Sequence, residues 1–265
     1  MTLEKLSCGR GVSADLAEVL VPIEQCLTVA AGPVSDECLR EAEAHGFDDL
    51  PLVEAGRVRG FLPLTRLREL AIAKEAVCHR DSYLKCSFVD RVAPVDVILE
   101  KLGSDRIVGV VGVDGAVEGI VTISDMNRHS FRAIIYPMLA LLEERIARLI
   151  DEQFDDPWEW IGKVGDSRTS IVGHWECLKR DGLDVSATSG ATLGQLLKVV
   201  EDTPSLVARS TLSKRKLSLF KNRALKYRNA VMHPTRPLVN SQEDVGSLRE
   251  FLIDLDQMSK AFASC

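Results

Sequence analysis

The sequence predicts an α+β chain in which a tandem pair of β-α-β-β-α units precedes an all-α helical bundle, and three observations carry that prediction. Shifted by 59 residues, the sequence falls on itself, with Gly56 over Gly115, Val58 over Val117, Gly60 over Gly119, and Phe61-Leu62 over Ile120-Val121. That is the mark of one supersecondary unit used twice. Beyond Tyr136-Pro137 strand-like alternation is scarce and apolar residues recur at helical spacing. The 265 residues are 46% hydrophobic and 27% charged, enough to bury true cores, and no apolar run approaches the roughly 18 to 20 residues of a membrane span. Collagen-like, low-complexity and membrane-spanning chains are excluded.

In the first copy, 27–30 reads as a short strand, 35–45 as a helix, 50–53 and 58–62 as strands around Glu54-Ala55-Gly56-Arg57, and 64–76 as a helix. In the second, 86–89 is a strand, 94–102 a helix, and 107–113 pairs with 116–121 through Asp114-Gly115, a dipeptide suited to a type I′ hairpin. A helix opens after Thr122. Proline disfavours helical geometry before it and suits a first helical turn, so Pro137 should start a fresh helix. Its apolar stripe, Met138, Leu141, Leu142, Ile146, Leu149 and Ile150, needs partners, and 193–200, 217–232 and 245–262 supply them. Trp158, Trp160 and Trp175 read as packing residues, and 186–192 as a Gly/Ser/Thr-rich loop. The domains expected are an N-terminal arm over 1–20, a repeat pair over 21–136 (21–78 and 79–136), and a helical domain over 137–265.

The first 20 residues carry Glu4, Asp15 and Glu18 where a secretory signal would be uninterruptedly apolar, so a cytoplasmic location is expected. Seven cysteines without CxxC pairing read as reduced thiols, with Cys78 and Cys86 as small buried ones. Cys78, His79 and Cys86 lack a fourth ligand at usable spacing, so no metal is expected.

The net charge of −6 is unevenly distributed. Between Asp202 and Glu243 lie nine cations and no carboxylate, so the rest of the chain sums to −15. A chain that coats nucleic acid along its length is excluded, and one focused anion-binding face remains, with Lys214, Arg215, Lys216, Lys221 and Arg223 as candidate RNA-binding residues. The alternative is a solvated helix face.

Two motifs carry chemistry. The segment Gly119-Ile-Val-Thr122-Ile-Ser-Asp125 ends a strand and begins a helix, where the Thr122 hydroxyl and the first free N–H groups can hold an anion and Asp125 can accept from ribose hydroxyls. Thr-x-x-Asp is equally a capping box that closes a helix N-terminus. The first copy has Pro63 and Arg66 at the matching positions, so one nucleotide site per chain is expected and Arg66 reads as a helix-surface residue. The second motif, Arg228-Asn229-Ala-Val-Met-His233-Pro234, closes the basic segment. Residues five apart in a helix lie about 140° around the axis, but Pro234 pushes His233 out of helical geometry, so the helix should end near Met232 and let the imidazole turn back toward Arg228. An arginine and a histidine side by side suit cleavage of a ribose phosphodiester: the imidazole takes the 2′-hydroxyl proton or protonates the leaving oxygen, the guanidinium binds the charge on phosphorus, and Asn229 orients them.

The duplicated unit and its Gly-apolar-apolar-Thr-x-x-Asp junction resemble the cystathionine-β-synthase (CBS) domain pair over roughly residues 21–136. The resemblance implies an adenine nucleotide (ATP, ADP, AMP or a relative) as regulatory ligand, bound by Thr122, Asp125 and Ile107. The Arg-Asn-x-x-x-His pattern at a helix end resembles the HEPN superfamily of ribonucleases over about residues 137–265. That resemblance implies a homodimer or higher assembly whose paired motifs cleave single-stranded RNA without a metal or other cofactor, with Arg228 and His233 catalytic and Asn229 supporting. Together they imply a nucleotide-regulated endoribonuclease, signalled through 130–154, in a stress or defence role. The alternative is a non-catalytic nucleotide-sensing module for dimerisation or protein interaction.

Overall fold

A computed structural model describes residues 19–81, 86–210 and 212–263. The arm expected over 1–20 and its short helix at 14–20 lie, apart from the last two residues, outside the described residues. The chain divides into two units: Arg128 ends the main segment of the first, His129 opens the second, and Ser241–Gly246 groups with the first.

The first unit is built from the repeat. Its first copy runs β2 (Val29–Ala30), α1 (Asp36–His45), β4 (Asp49–Glu54), β5 (Arg57–Pro63) and α2 (Leu64–Ala73), preceded by β1 (Val21–Pro22) and interleaved with β3 (Gly32–Pro33) and β6 (Ala76–Val77). The second copy runs β7 (Ser87–Asp90), α3 (Val95–Leu102), β8 (Ile107–Val111) and β9 (Val117–Thr122). β2 pairs parallel with β4 and β4 antiparallel with β5; β7 pairs parallel with β8 and β8 antiparallel with β9. The same order and sense in both copies is the repeat made visible. Leu50, Leu52, Leu62, Leu67 and Leu70 fill the first core, and Ile98, Leu99, Leu102, Val108, Val110 and Val121 are buried in the second copy.

The type I′ turn expected at Asp114-Gly115 is found instead in the first hairpin. Ala55 and Gly56 both have positive φ (52° and 72°), the requirement of a type I′ turn, whereas at Asp114-Gly115 only Gly115 does (76°). The second hairpin turns through Gly112–Gly115, with Gly115 N–H donating to the Gly112 carbonyl and a register shift at Val110/Val111, the geometry of a longer loop with a bulge.

The second unit holds α4 (His129–Gln153), α5 (Pro157–Ile161), α6 (Arg168–Arg180), α7 (Leu193–Glu201), α8 (Pro204–Arg209), α9 (Lys214–Met232) and most of α10 (Gln242–Ala261). α4 corrects one expectation: it runs through Pro137 rather than starting there. Proline costs an interior helix about 3 kcal/mol, and burial of Phe131, Ile135, Leu139, Leu142, Ile146, Leu149 and Ile150 along one stripe outweighs it. α7 and α9 pack against α4 and each other, and α10 joins them through Phe251, stacked on Tyr227 at 4.7 Å and on Phe220 at 5.7 Å. Trp160 is buried and Trp175 donates to the Val185 carbonyl at 3.0 Å, but Trp158 is exposed, and so is the Cys78 thiol expected to be buried. Among the described residues no helix is long and apolar enough to cross a membrane.

β1 closes on β9 only because Gly119 has no side chain: a Cβ there would lie 2.6 Å from the Val21 carbonyl oxygen and 2.5 Å from Leu20. Gly119→Ala should therefore lower the unfolding free energy by about 1 to 3 kcal/mol in urea denaturation, while Gly173→Ala, with open space around it, should not.

Candidate functional site

The first candidate lies at the β9 junction. Register places Ile107 opposite Thr122, so two of the three expected nucleotide-binding residues are cross-strand partners. Thr122 caps a 3-10 turn, Ile123–Asn127. Its N–H and its hydroxyl both donate to Asp125 Oδ2 at 2.8 Å, and Arg128 Nε lies 3.0 Å from Asp125 Oδ1. Of the two readings open for Thr-x-x-Asp, this is the capping box in place, with Asp125 only 2% exposed. A ribose reaching Asp125 must share its remaining lone pairs or displace the half-exposed Arg128, a neighbour that the spacing argument did not include. The Cys26 thiol stands close by: burial pushes its pKa up, Asp125 and Glu24 add to this, and Arg128 opposes it.

The matching junction of the first copy binds itself. Pro63 precedes α2 without a side-chain cap, and Arg66 reaches Asp81 at 2.8 Å and Glu69 at 3.0 Å. Asp81 is held below the ordinary carboxylate range by the Cys78 N–H first and by Arg66 second.

The second candidate is the end of α9. The helix stops at Met232, the Pro234 prediction, and His233 is extended (φ −122°, ψ 91°) with its N–H donating to the Asn229 carbonyl at 3.0 Å. A residue that sequence reasoning missed fixes this end. Arg132 of α4 is 4% exposed, and its guanidinium donates to the carbonyl of Ala230, inside the motif, and to that of Arg236, three residues past His233, at 2.7 Å. A cation on the last carbonyls of a helix answers both their missing partners and the negative end of the dipole. Burial lowers the pKa of Arg132.

With the backbone pinned, the side chains of the motif are left free. Among the described residues, no hydrogen bond or ion pair ties the side chains of Arg228, Asn229 or His233 to the rest of the chain, nor Arg228 to His233. Arg228 lines a cavity of 110 Å³ with Tyr136, Leu139, Ala140, Glu143, Val231 and Met232. His233 is exposed and outside that lining.

The basic face divides. Lys221 is paired with Glu201, and Arg223 with Glu250 at 2.6 Å and Asp254 at 3.7 Å, so two of the five expected RNA-binding cations are committed inside the bundle. Lys214, Arg215 and Lys216, in the exposed first turn of α9, have no ion pair among the described residues, although Lys216 acts electrostatically on Asp254. Acids from α7 and α10, distant in sequence, decide which cations remain available.

No protein-family model and no curated protein matches the chain. Among solved structures it is similar to a hemolysin-like CBS-domain protein of Oenococcus oeni (16% identity, 44% of this chain and 88% of that one, TM-score 0.37), to CbpB in complex with c-di-AMP (13%, 47% and 88%, TM-score 0.39), and to a CBS domain protein of Shewanella oneidensis (22%, 42% and 92%, TM-score 0.34).

Arg132→Met should lower the unfolding free energy by roughly 2 to 4 kcal/mol, because two carbonyls lose a charged donor. Arg132→Lys, unable to reach both, should recover only part of it in urea denaturation.

Proposed function

We propose that the protein is a nucleotide-responsive, metal-independent endoribonuclease, with Arg228, His233 and Asn229 as its cleavage site and the repeat pair as its adenine-nucleotide sensor. The observation that carries the reading is the contrast at the end of α9: the backbone within the motif, at Ala230, and just beyond it, at Arg236, is held by buried Arg132, while among the described residues three polar side chains spend no hydrogen-bonding capacity on their own chain. Groups whose supports are fixed and whose donors are unspent are preorganised for a ligand. The guanidinium binds the scissile phosphate, the imidazole moves a proton, and Asn229 orients one or the other. Lys214, Arg215 and Lys216 guide the strand electrostatically. A homodimer brings two such sites together.

For the sensor half, support comes from the repeat, from the Ile107–Thr122 register, and from the free end of Arg128 beside Asp125. Only Arg128 separates the turn that holds Asp125 from the first residue of α4, so a ligand that repositions Arg128 acts at the root of the helix that holds the motif. It can shift that equilibrium only by its difference in affinity between the two states.

Single-stranded RNA incubated with the protein in chelator should be cut. Arg228→Ala and His233→Ala should each lower the rate by about 10²-fold or more, and Lys179→Ala, whose ammonium lies over the Trp175 ring within α6, should leave it unchanged. ATP, AMP or c-di-AMP should alter the wild-type rate, and Asp125→Ala should blunt that response. Intact RNA under every nucleotide condition sinks the enzyme reading and leaves the sensing module.

A further inference from the structure

The ribonuclease reading, on which this inference rests, leaves one half-buried titratable group without a role. Glu143 of α4 lines the same 110 Å³ cavity as Arg228, but the two are not within ion-pair distance, so their charges face that space without closing on each other. The backbone N–H of Leu193, at the start of α7, acts on the Glu143 carboxylate and favours its charged form. Titratable and charged neighbours in the linings that include Glu143 are Tyr136, Glu144, Arg148 and Asp151 from α4 and Arg228 from α9; Glu144 and Arg148 pair with each other at 2.7 Å, and Asp151 accepts from the Thr188 hydroxyl at 2.9 Å.

A cavity with a cation on one wall and a hydrogen-bond acceptor on another suits a group that is anionic on one side and a donor on the other. A ribose 3′-phosphate with its adjacent 2′-hydroxyl is such a group. In-line displacement at phosphorus also requires the attacking and departing oxygens on opposite sides, and hence a base and an acid in different places. Glu143 lies in the cavity with Arg228; His233 lies outside its lining.

We propose that Glu143 is the general base of cleavage and His233 its general acid. The Glu143 carboxylate takes the proton of the 2′-hydroxyl as O2′ bonds to phosphorus. The P–O5′ bond breaks, and the His233 imidazolium gives its proton to O5′. The products are a 2′,3′-cyclic phosphate and a 5′-hydroxyl, and water returns both side chains to their starting states. Burial pushes the Glu143 carboxyl up, against Arg228 and the Leu193 amide, which moves a carboxylate toward the basicity that proton abstraction near neutral pH requires.

The test is the pH dependence of kcat for wild type, Glu143→Gln, Glu143→Asp and His233→Ala, in chelator and in the nucleotide condition that gives the highest wild-type rate. Two substrates are compared: an RNA dinucleotide, and uridine 3′-(4-nitrophenyl phosphate), whose leaving group departs without a proton. Glu143→Gln should lower kcat on both by roughly 10²- to 10⁴-fold, with KM little changed and the acidic limb of the profile lost. Glu143→Asp, which keeps a carboxylate, should retain that limb at a reduced rate, and it carries the test if the glutamine variant fails to fold. His233→Ala should be impaired on the dinucleotide and rescued on the nitrophenyl ester. An active wild type in which Glu143→Gln keeps its kcat and acidic limb, or is rescued by the nitrophenyl ester as His233→Ala is, overturns this assignment alone. A wild type inactive on both substrates overturns the ribonuclease reading and this assignment with it.

Discussion

The end of α9 depends on one buried guanidinium. Arg132 leaves α4 near its start and donates to two carbonyls about a hundred residues away in sequence, Ala230 before His233 and Arg236 after it. A buried arginine is costly unless its donors are used, and here a helix C-terminus uses them. The same helix repeats the device at Arg145, which donates to the backbone and hydroxyl of Ser259 near the end of α10. α4 therefore contributes an apolar stripe to the bundle and also ties down the carboxyl ends of two other helices.

Charge is distributed to match. The basic segment reads as one anion-binding face, yet Lys221 and Arg223 are spent on Glu201, Glu250 and Asp254. The first turn of α9 stays cationic and exposed, and at its far end Arg228 lies in a cavity it shares with Glu143. Half-buried opposite charges held apart rather than paired cost stability, and such arrangements concentrate where a ligand supplies the missing contact. The first unit shows the contrary case: Asp125 is already engaged by Thr122 and Arg128, and Arg66 by Asp81 and Glu69. There a ligand must compete with internal partners, which suits a switch better than a permanently loaded site.

Legibility in the sequence followed the range of the interactions. The 59-residue repeat, the strands around Glu54-Ala55-Gly56-Arg57 and the end of α9 before Pro234 are local patterns, and the structure has them. Pro137 misled because a local penalty was weighed without the stripe of buried residues that overrides it. The I′ turn expected at Asp114-Gly115 is not there, because the bulge at Val110/Val111 lengthens that loop and only Gly115 has positive φ, whereas Ala55 and Gly56 both do. At the candidate sites the residue types and spacings were visible: Ile107, Thr122 and Asp125 at one junction, Arg228, Asn229 and His233 at one helix end. Their partners were not. Arg132 in Phe-Arg-Ala-Ile-Ile looks like a surface cation, Arg128 like a loop residue and Glu143 like one end of a solvated face, because each takes its meaning from a group far away in sequence or from a fold that has to exist first.

The central claim, that the end of α9 cleaves RNA through its own side chains, is tested most directly by mass spectrometry of the ends left on a defined RNA digested in chelator, beside DNA of the same sequence. Intramolecular attack by a 2′-hydroxyl predicts 2′,3′-cyclic phosphate and 5′-hydroxyl ends, untouched DNA, and loss of these products in Arg228→Ala. Fragments ending in 3′-hydroxyls, cleavage of the DNA, or the same products from Arg228→Ala would contradict it.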